Sequence, residues 1–201
     1  AEVRAFSIDD ANTTEIDDAF SLTALPGISA RIGIHTAAPR LAIEHGSPLD
    51  GVARARLSTV YMPGNKITML PDAVVQNYTL AGGVDCPAVS LYLTVNDTFE
   101  IVSHESRVEM VHIAANLRHH EVEPWFNAET VGGALPDQPF AKELLHLWHF
   151  ANACEGRRGK PSAVQGINDY NFAIVGDLAD PESCAVEISE RKRGSPLDKL
   201  V

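Results

Sequence analysis

Cysteine is scarce in this chain: Cys86, Cys154 and Cys184 stand far apart, odd in number and in no C-x-x-C pair. That pattern argues against a disulfide framework or a thiolate zinc site and fits buried thiols in a reducing, cytoplasmic compartment. No stretch is long and apolar enough to span a membrane, and no signal peptide, lipidation signature or internal repeat is seen. An H-E-x-x-H pair, a Ser nucleophile elbow, a P-loop and a dinucleotide glycine fingerprint are all missing. Positive charge is also in deficit, with 16 Lys and Arg against 27 Asp and Glu and a net charge of -11. Surfaces that track phosphate are usually basic, so this balance disfavours non-specific binding to nucleic acid or to an anionic membrane. The cations are not spread evenly. Arg157, Arg158 and Lys160, with Arg191, Lys192 and Arg193, hold six of the 16. Both clusters are ordinary solvated runs on their own, yet basic patches beside an acidic metal pocket would suit a phosphodiester.

What is present is acid, concentrated near the start. Asp9, Asp10, Glu15, Asp17 and Asp18 fall within ten residues, bracketed by Phe6-Ser7-Ile8 and Ala19-Phe20-Ser21-Leu22. Both brackets read as short strands, which places the acids on the strand ends and the loop between them. Carboxylates packed this closely repel one another, and a cation relieves the repulsion. Oxygen ligands without Cys or His favour Mg²⁺ or Mn²⁺ over zinc. A solvated acidic turn is the plain alternative for this stretch taken alone. An EF-hand loop starting at Asp10 fails, because Glu15 stands where the turn glycine belongs and Ser21 where the bidentate Glu belongs.

A length of 201 residues with 45% hydrophobic content allows one large domain or two small ones with a real core. Residues 28–35 alternate as a strand able to pair with 18–25 across Pro26-Gly27, and His35 ends it. Ser47-Pro48-Leu49-Asp50 reads as a helix start, with Ser47 as N-cap. That helix is expected to bury Val52, Leu57 and Val60 and to expose Arg54 and Arg56. Tyr61 to Lys66 forms a turn, and a short helix or irregular segment is expected around Asp72 to Gln76. Val89–Val95 and Phe99–Val102 form a hairpin around Asn96-Asp97. The stretch from Val108 to Trp125 reads as a strand to about Val111 and then a helix, carrying His112, His119 and His120. Pro139–Asn152 is a helix with Phe140, Leu144, Leu147, Trp148 and Ala151 on one face. Strands return at Tyr170–Val175 and Ala185–Ile188. His146 and His149 are three apart on the Pro139–Asn152 helix, but no partner sits at zinc spacing. Without clean βαβ alternation, the fold class is α/β: a mixed, mainly antiparallel sheet with packed helices.

Taken in order, the blocks resemble the catalytic domain of the ribonuclease II/R (RNB) exoribonucleases. Members carry T-I-D-x5-D-x-D-D-A, a strand ending H-I-A-D, then G-S-x-L-D, A-x-x-R, T-x-Y-L-P and I-P-M-L-P. Here those blocks stand as Ser7-Ile8-Asp9 through Glu15-Ile16-Asp17-Asp18-Ala19, then His35-Thr36-Ala37-Ala38 and Gly46-Ser47-Pro48-Leu49-Asp50. Ala53-Arg54-Ala55-Arg56, Ser58-Thr59-Val60-Tyr61-Met62-Pro63 and Ile67-Thr68-Met69-Leu70-Pro71 follow. Near the end, Arg193 to Val201 resembles the family's R-x-S-P-x-x-K-L-V segment.

The resemblance implies processive 3'→5' hydrolysis of single-stranded RNA to nucleoside 5'-monophosphates, with Mg²⁺ and, as the other candidate ion, Mn²⁺. By position, Asp9, Asp17 and Asp18 match the family's acids and Glu15 takes the place of another, which makes these four the expected metal ligands. Asp17 is the acid whose loss should most damage turnover. Tyr61 matches the tyrosine that packs near the RNA 3' end; a plain core tyrosine is its bland alternative. Arg56 and His35 are further candidates for RNA contact, and a surface arginine is the plainer reading of Arg56. Two departures stand out: Glu15 replaces an Asp, and Ala38 stands where the family usually has Asp. No S-P-I-R-R-Y motif, whose arginine contacts the scissile phosphate, is present. Residues 1–201 are therefore expected to be the N-terminal part of such a domain, lacking its C-terminal half and flanking RNA-binding domains. A start on Ala1 without methionine fits a piece of something longer. A monomer is expected, inactive when alone. A relative that binds RNA without cutting it is the alternative reading.

Overall fold

The structure is a computed structural model that describes residues 3–159, 168–177, 179–180 and 182–200, without the side chains of residues 28, 29, 168, 191 and 192. Lys160, Val201 and the side chains of Arg191 and Lys192, all singled out above, lie outside this description. The chain divides into two compact units, one from residues 1–38, 76–162 and 195–201, the other from 39–75 and 163–194.

The first unit is built on a closed five-stranded barrel. Its strands are β1 (Arg4–Asp9), β2 (Asp18–Leu25), β3 (Ile28–Ala37), β6 (Asp85–Val95) and β7 (Ile101–Arg118), in that order around the barrel. Successive strands pair antiparallel. Because the count is odd, the closing pair of β1 with β7 has to be parallel, and it is. Leu25 pairs with Ile28 across the Pro26-Gly27 turn, where Gly27 takes φ 72°. Only glycine adopts such a backbone without strain, which explains the tight return.

Every barrel strand has two faces, and both are used. Phe6, Ile8, Ala30, Ile32 and Val95 face outward into a core with Leu144 and Leu147 of α5 (Ala141–Arg158), Val122, Phe126, and Leu197 and Leu200 of the terminal turn. Full burial of one such side chain contributes about 2 kcal/mol. The opposite faces carry Ala5, Ala19, Cys86, Ala88, Val111 and Ile113, capped by Ile16 and Leu80. Ser7, Ser21, His35 and Ser90 share these inward faces and are buried. Five strands enclose little room, so the inside is filled mostly by small and polar residues around Val111, Ile113 and the His35 ring.

Helix α5 begins two residues later than the expected Pro139–Asn152 helix, with Phe140 as a left-handed N-cap rather than a helical residue, and runs on to Arg158, where Gly159 caps it in a left-handed conformation. The region after Val111 differs from expectation: β7 continues as strand to Arg118, and only α3 (His119–Val122) follows as helix. His112 therefore sits on a strand. Val111 and Ile113 face the barrel interior while Ala115 and Leu117, past a shift in register, pack on the outer core, and pairing with β1 overrides the helix propensity of this stretch. A four-residue helix α4 (Ala128–Val131) starts at the Asn127 capping box.

In the second unit, α1 (Pro48–Arg56) begins as expected, Ser47 Oγ accepting from the Asp50 amide. The expected apolar face is not buried. Val52, Leu57 and Val60 are all exposed, and Val60 belongs to β4 (Val60–Met62), which pairs with β5 (Asn65–Ile67) around Pro63-Gly64. Three apolar positions are too few to make the polar Asp50-Gly51-Val52-Ala53-Arg54-Ala55-Arg56 run amphipathic. A second hairpin joins β8 (Asn168–Val175) to β9 (Ala185–Lys192). Helix α2 (Asp72–Tyr78) spans the sequence boundary between the units. The three cysteines are free thiols, and among the described residues no helix is long and apolar enough to cross a membrane.

Candidate metal centre

Asp9 is the last residue of β1 and Asp18 the first of β2, so the acidic loop joins two adjacent strands at one rim of the barrel. The loop is anchored where it meets the barrel. Ala37 N donates to Asp17 O at 2.8 Å, Leu80 N to Ile16 O at 2.8 Å, and Ile16 N to Thr79 Oγ1 at 2.9 Å. From the end of β7, Arg118 Nη1 donates to Asp10 O at 2.8 Å and Thr13 O at 3.2 Å. The backbone of the loop is thus held from both sides while its carboxylates stay at the rim.

The acids sense one another. Partial burial pushes the Asp9 carboxyl above the usual carboxylate range, as do the charges of Asp17 and Asp10, against a hydrogen bond from Ser7 and the nearby Arg118. Asp18 is raised by desolvation first, then by Asp17 and Asp9. A shared cation would relieve that repulsion. In donor type and in mutual coupling, Asp9, Asp17 and Asp18 fit a hard divalent ion. Among the described residues, no three His, Cys, Asp or Glu side chains already stand together at metal-holding distance. Glu15 is half-buried on the same loop, and Asp10, Asp17 and Asp18 are exposed.

His35 requires a correction. Rather than offering a polar group to RNA, its ring is fully buried inside the barrel. Its Nε2 lies 2.8 Å from Ser21 Oγ and its Nδ1 2.8 Å from Ser90 Oγ, so both nitrogens are satisfied internally. Burial lowers its pKa to about 4, despite the opposing charge of Glu109. Its ring meets Tyr92 edge-on with centroids 5.6 Å apart. Tyr92 is itself buried, with its phenol pushed up to about 12.

Tyr61 and Arg56 lie in the second unit. Tyr61 is exposed on β4. Arg56, in the last turn of α1, donates from Nη1 to Thr68 O at 2.7 Å and so braces its own unit. Ala38 follows β3 and is buried, its amide donating to Pro87 O at 3.3 Å. Sequence reasoning missed Ser7, Asn116 and Arg118, the polar groups that surround Asp9. The period-two alternation through Leu117 was the signal that could have placed the last two on a strand at this rim.

A family model for the RNB domain matches residues 1–200. Exoribonuclease 2 of Escherichia fergusonii is 31% identical over 197 residues, covering 92% of this chain and 30% of that protein. The structure of Mycoplasma genitalium RNase R in complex with ribose-methylated single-stranded RNA superposes with a TM-score of 0.76 at 14% identity, over 100% of this chain and 30% of that one. Yeast Ssd1, described as a pseudonuclease, superposes with a TM-score of 0.67 at 20% identity, over 83% of this chain and 20% of that one. The chain thus spans about 30% of the length of the first two relatives. With residues 1–200 matched by that family model, the chain belongs to the RNB-domain family.

Proposed function

We propose that these residues form the metal-bearing part of a hydrolytic 3'→5' exoribonuclease that acts on single-stranded RNA and releases nucleoside 5'-monophosphates. The observation that carries the reading is the placing of Asp9, Asp17 and Asp18 at adjoining strand ends on one barrel rim of an RNB-family chain. Asp9, Asp17 and Asp18 would hold Mg²⁺, or Mn²⁺ in its place, with Glu15 as a further ligand. A bound divalent ion contributes Lewis acidity toward a phosphodiester. The chain's own part is to hold the acids at the rim, where the loop backbone is pinned through Ile16 O and Asp17 O and Ile16 and Leu80 are buried with the inward-facing residues. Tyr61 offers an exposed ring able to stack on a terminal base. Arg56 would contribute to RNA only through the donors it does not spend on Thr68. Free thiols at Cys86, Cys154 and Cys184 fit a cytoplasmic setting.

The test is release of labelled mononucleotide from 3'-labelled single-stranded RNA with Mg²⁺, by the polypeptide that carries these residues. Asp17→Asn should abolish release; undiminished Mg²⁺-dependent release would refute the assignment. The 201 residues alone should give no product. A second reading, RNA binding without cleavage, draws on the two departures from the family pattern, Glu15 in place of an Asp and the buried Ala38 where an Asp is usual. RNA retained without product would favour it.

A further inference from the structure

We propose that Ser7 and Asn116 are positioning residues for Asp9, forming a hydrogen-bond relay that fixes one carboxylate oxygen and leaves the other for a divalent cation. The inference rests on the metal reading above and adds the side chains that orient its first acid. Asn116 is held in one orientation by its neighbours. Gly82 N donates to its Oδ1 at 2.6 Å, while its Nδ2 donates to Leu80 O and to Ser7 Oγ, each at 2.9 Å. Flipping the amide would set donor against donor and acceptor against acceptor, so the assignment is unambiguous. Ser7 Oγ therefore accepts from Asn116, and its single proton goes to Asp9 Oδ2 at 2.5 Å. Asp9 Oδ1 takes no part in these bonds.

A β-bulge makes the relay possible. Ala5 pairs with Ile113 but Phe6 pairs with Ala115, so Ala114 is an extra residue on β7. In an unshifted register Ser7 would stand opposite Ala115; the shift brings it opposite Asn116 on the inward side of the barrel. Ser7 is fully buried, so its hydroxyl exchanges no partner with bulk water. The relay also opposes a definite force. Asp17 and Asp10 repel Asp9, and an untethered carboxylate would turn away from them and from the shared ion.

Mn²⁺ binding to the full 201-residue chain, read by electron paramagnetic resonance, tests the proposal without any turnover. Asp9→Asn defines the site by abolishing binding. Ser7→Ala and Asn116→Ala should each raise the Mn²⁺ dissociation constant by about tenfold or more, the usual effect of losing a partner behind a metal ligand. Ser7→Thr, which keeps the hydroxyl, should stay near wild type. Ser90→Ala removes a buried hydroxyl from the His35 side of the same barrel and should leave Mn²⁺ affinity unchanged; circular dichroism checks that each variant is folded. If Ser7→Ala and Asn116→Ala bind as wild type does while Asp9→Asn does not, the relay is refuted and the metal reading stands. If Ser90→Ala weakens binding equally, the effect is general loosening and the relay is again refuted. If the wild-type chain binds no Mn²⁺, both fall.

Discussion

Acid should destabilise the barrel through His35. The ring is fully buried and neutral, its pKa lowered from 6.5 to about 4 by burial. In the unfolded chain it takes up a proton near its ordinary pKa, so between those two values the unfolded state binds more protons than the folded one. Stability from this group is therefore intact above the unfolded value and lost as the pH falls toward the folded one. From about pH 7 to about pH 4.5 the loss amounts to about 2 kcal/mol. Asp9 and Asp18 act oppositely, since their raised carboxyl pKa values make the folded state the better proton acceptor as pH falls. Comparison with a non-titrating variant cancels that term. Urea unfolding of wild type and His35→Gln at the two pH values gives the measurement. His35→Gln should be the less stable protein at neutral pH, yet should lose about 2 kcal/mol less on acidification. Parallel losses in the two proteins would show that His35 does not titrate between the folded and unfolded states as its burial requires.

Three other outcomes follow from particular contacts. A Cβ on Gly33 would stand 2.3 Å from Ser21 Oγ and 2.7 Å from His35 Nε2, so Gly33→Ala should cost about 3 kcal/mol in urea unfolding. Leu57 ends α1 with φ 65° while 79% exposed, so Leu57→Gly should raise stability by about 1 kcal/mol, read from the unfolding midpoint. Arg118→Ala removes the donor to Asp10 O and Thr13 O, and hydrogen exchange across residues 10–17 should quicken while the α5 amides stay protected.

Strand ends and caps were legible in the sequence because they depend on neighbours only. The two strands around the acids, the Pro26-Gly27 return, the Ser47 cap and α5 all appear where local chemistry puts them. What was hidden is which side of a strand is the inside. Alternation shows that Phe6 and Ile8 share a face opposite Ala5 and Ser7, but the larger residues turn out to face helix α5 and the smaller ones the barrel interior. A narrow closed sheet inverts the usual equation of bulk with core, and the strand-end position of His35 beside the acids suits a role toward RNA until the inside of the barrel is known. The misplacement of residues 112–118 has a different cause. His, Ala, Asn and Leu there are tolerable in a helix, and only the long-range partner β1, more than a hundred residues earlier, makes them strand. The exposed side of α1 has no such excuse; its apolar positions are simply sparse.

The parallel seam between β1 and β7 carries a constraint on how this architecture can vary. With five strands running up and down, the first and the last point the same way, so Asp9 and Arg118 emerge together as paired neighbours. Inserting or deleting one strand of the meander would reverse the last one and send its terminal side chain to the far opening. Relatives that keep a cation beside the acids by this route can gain or lose barrel strands only two at a time.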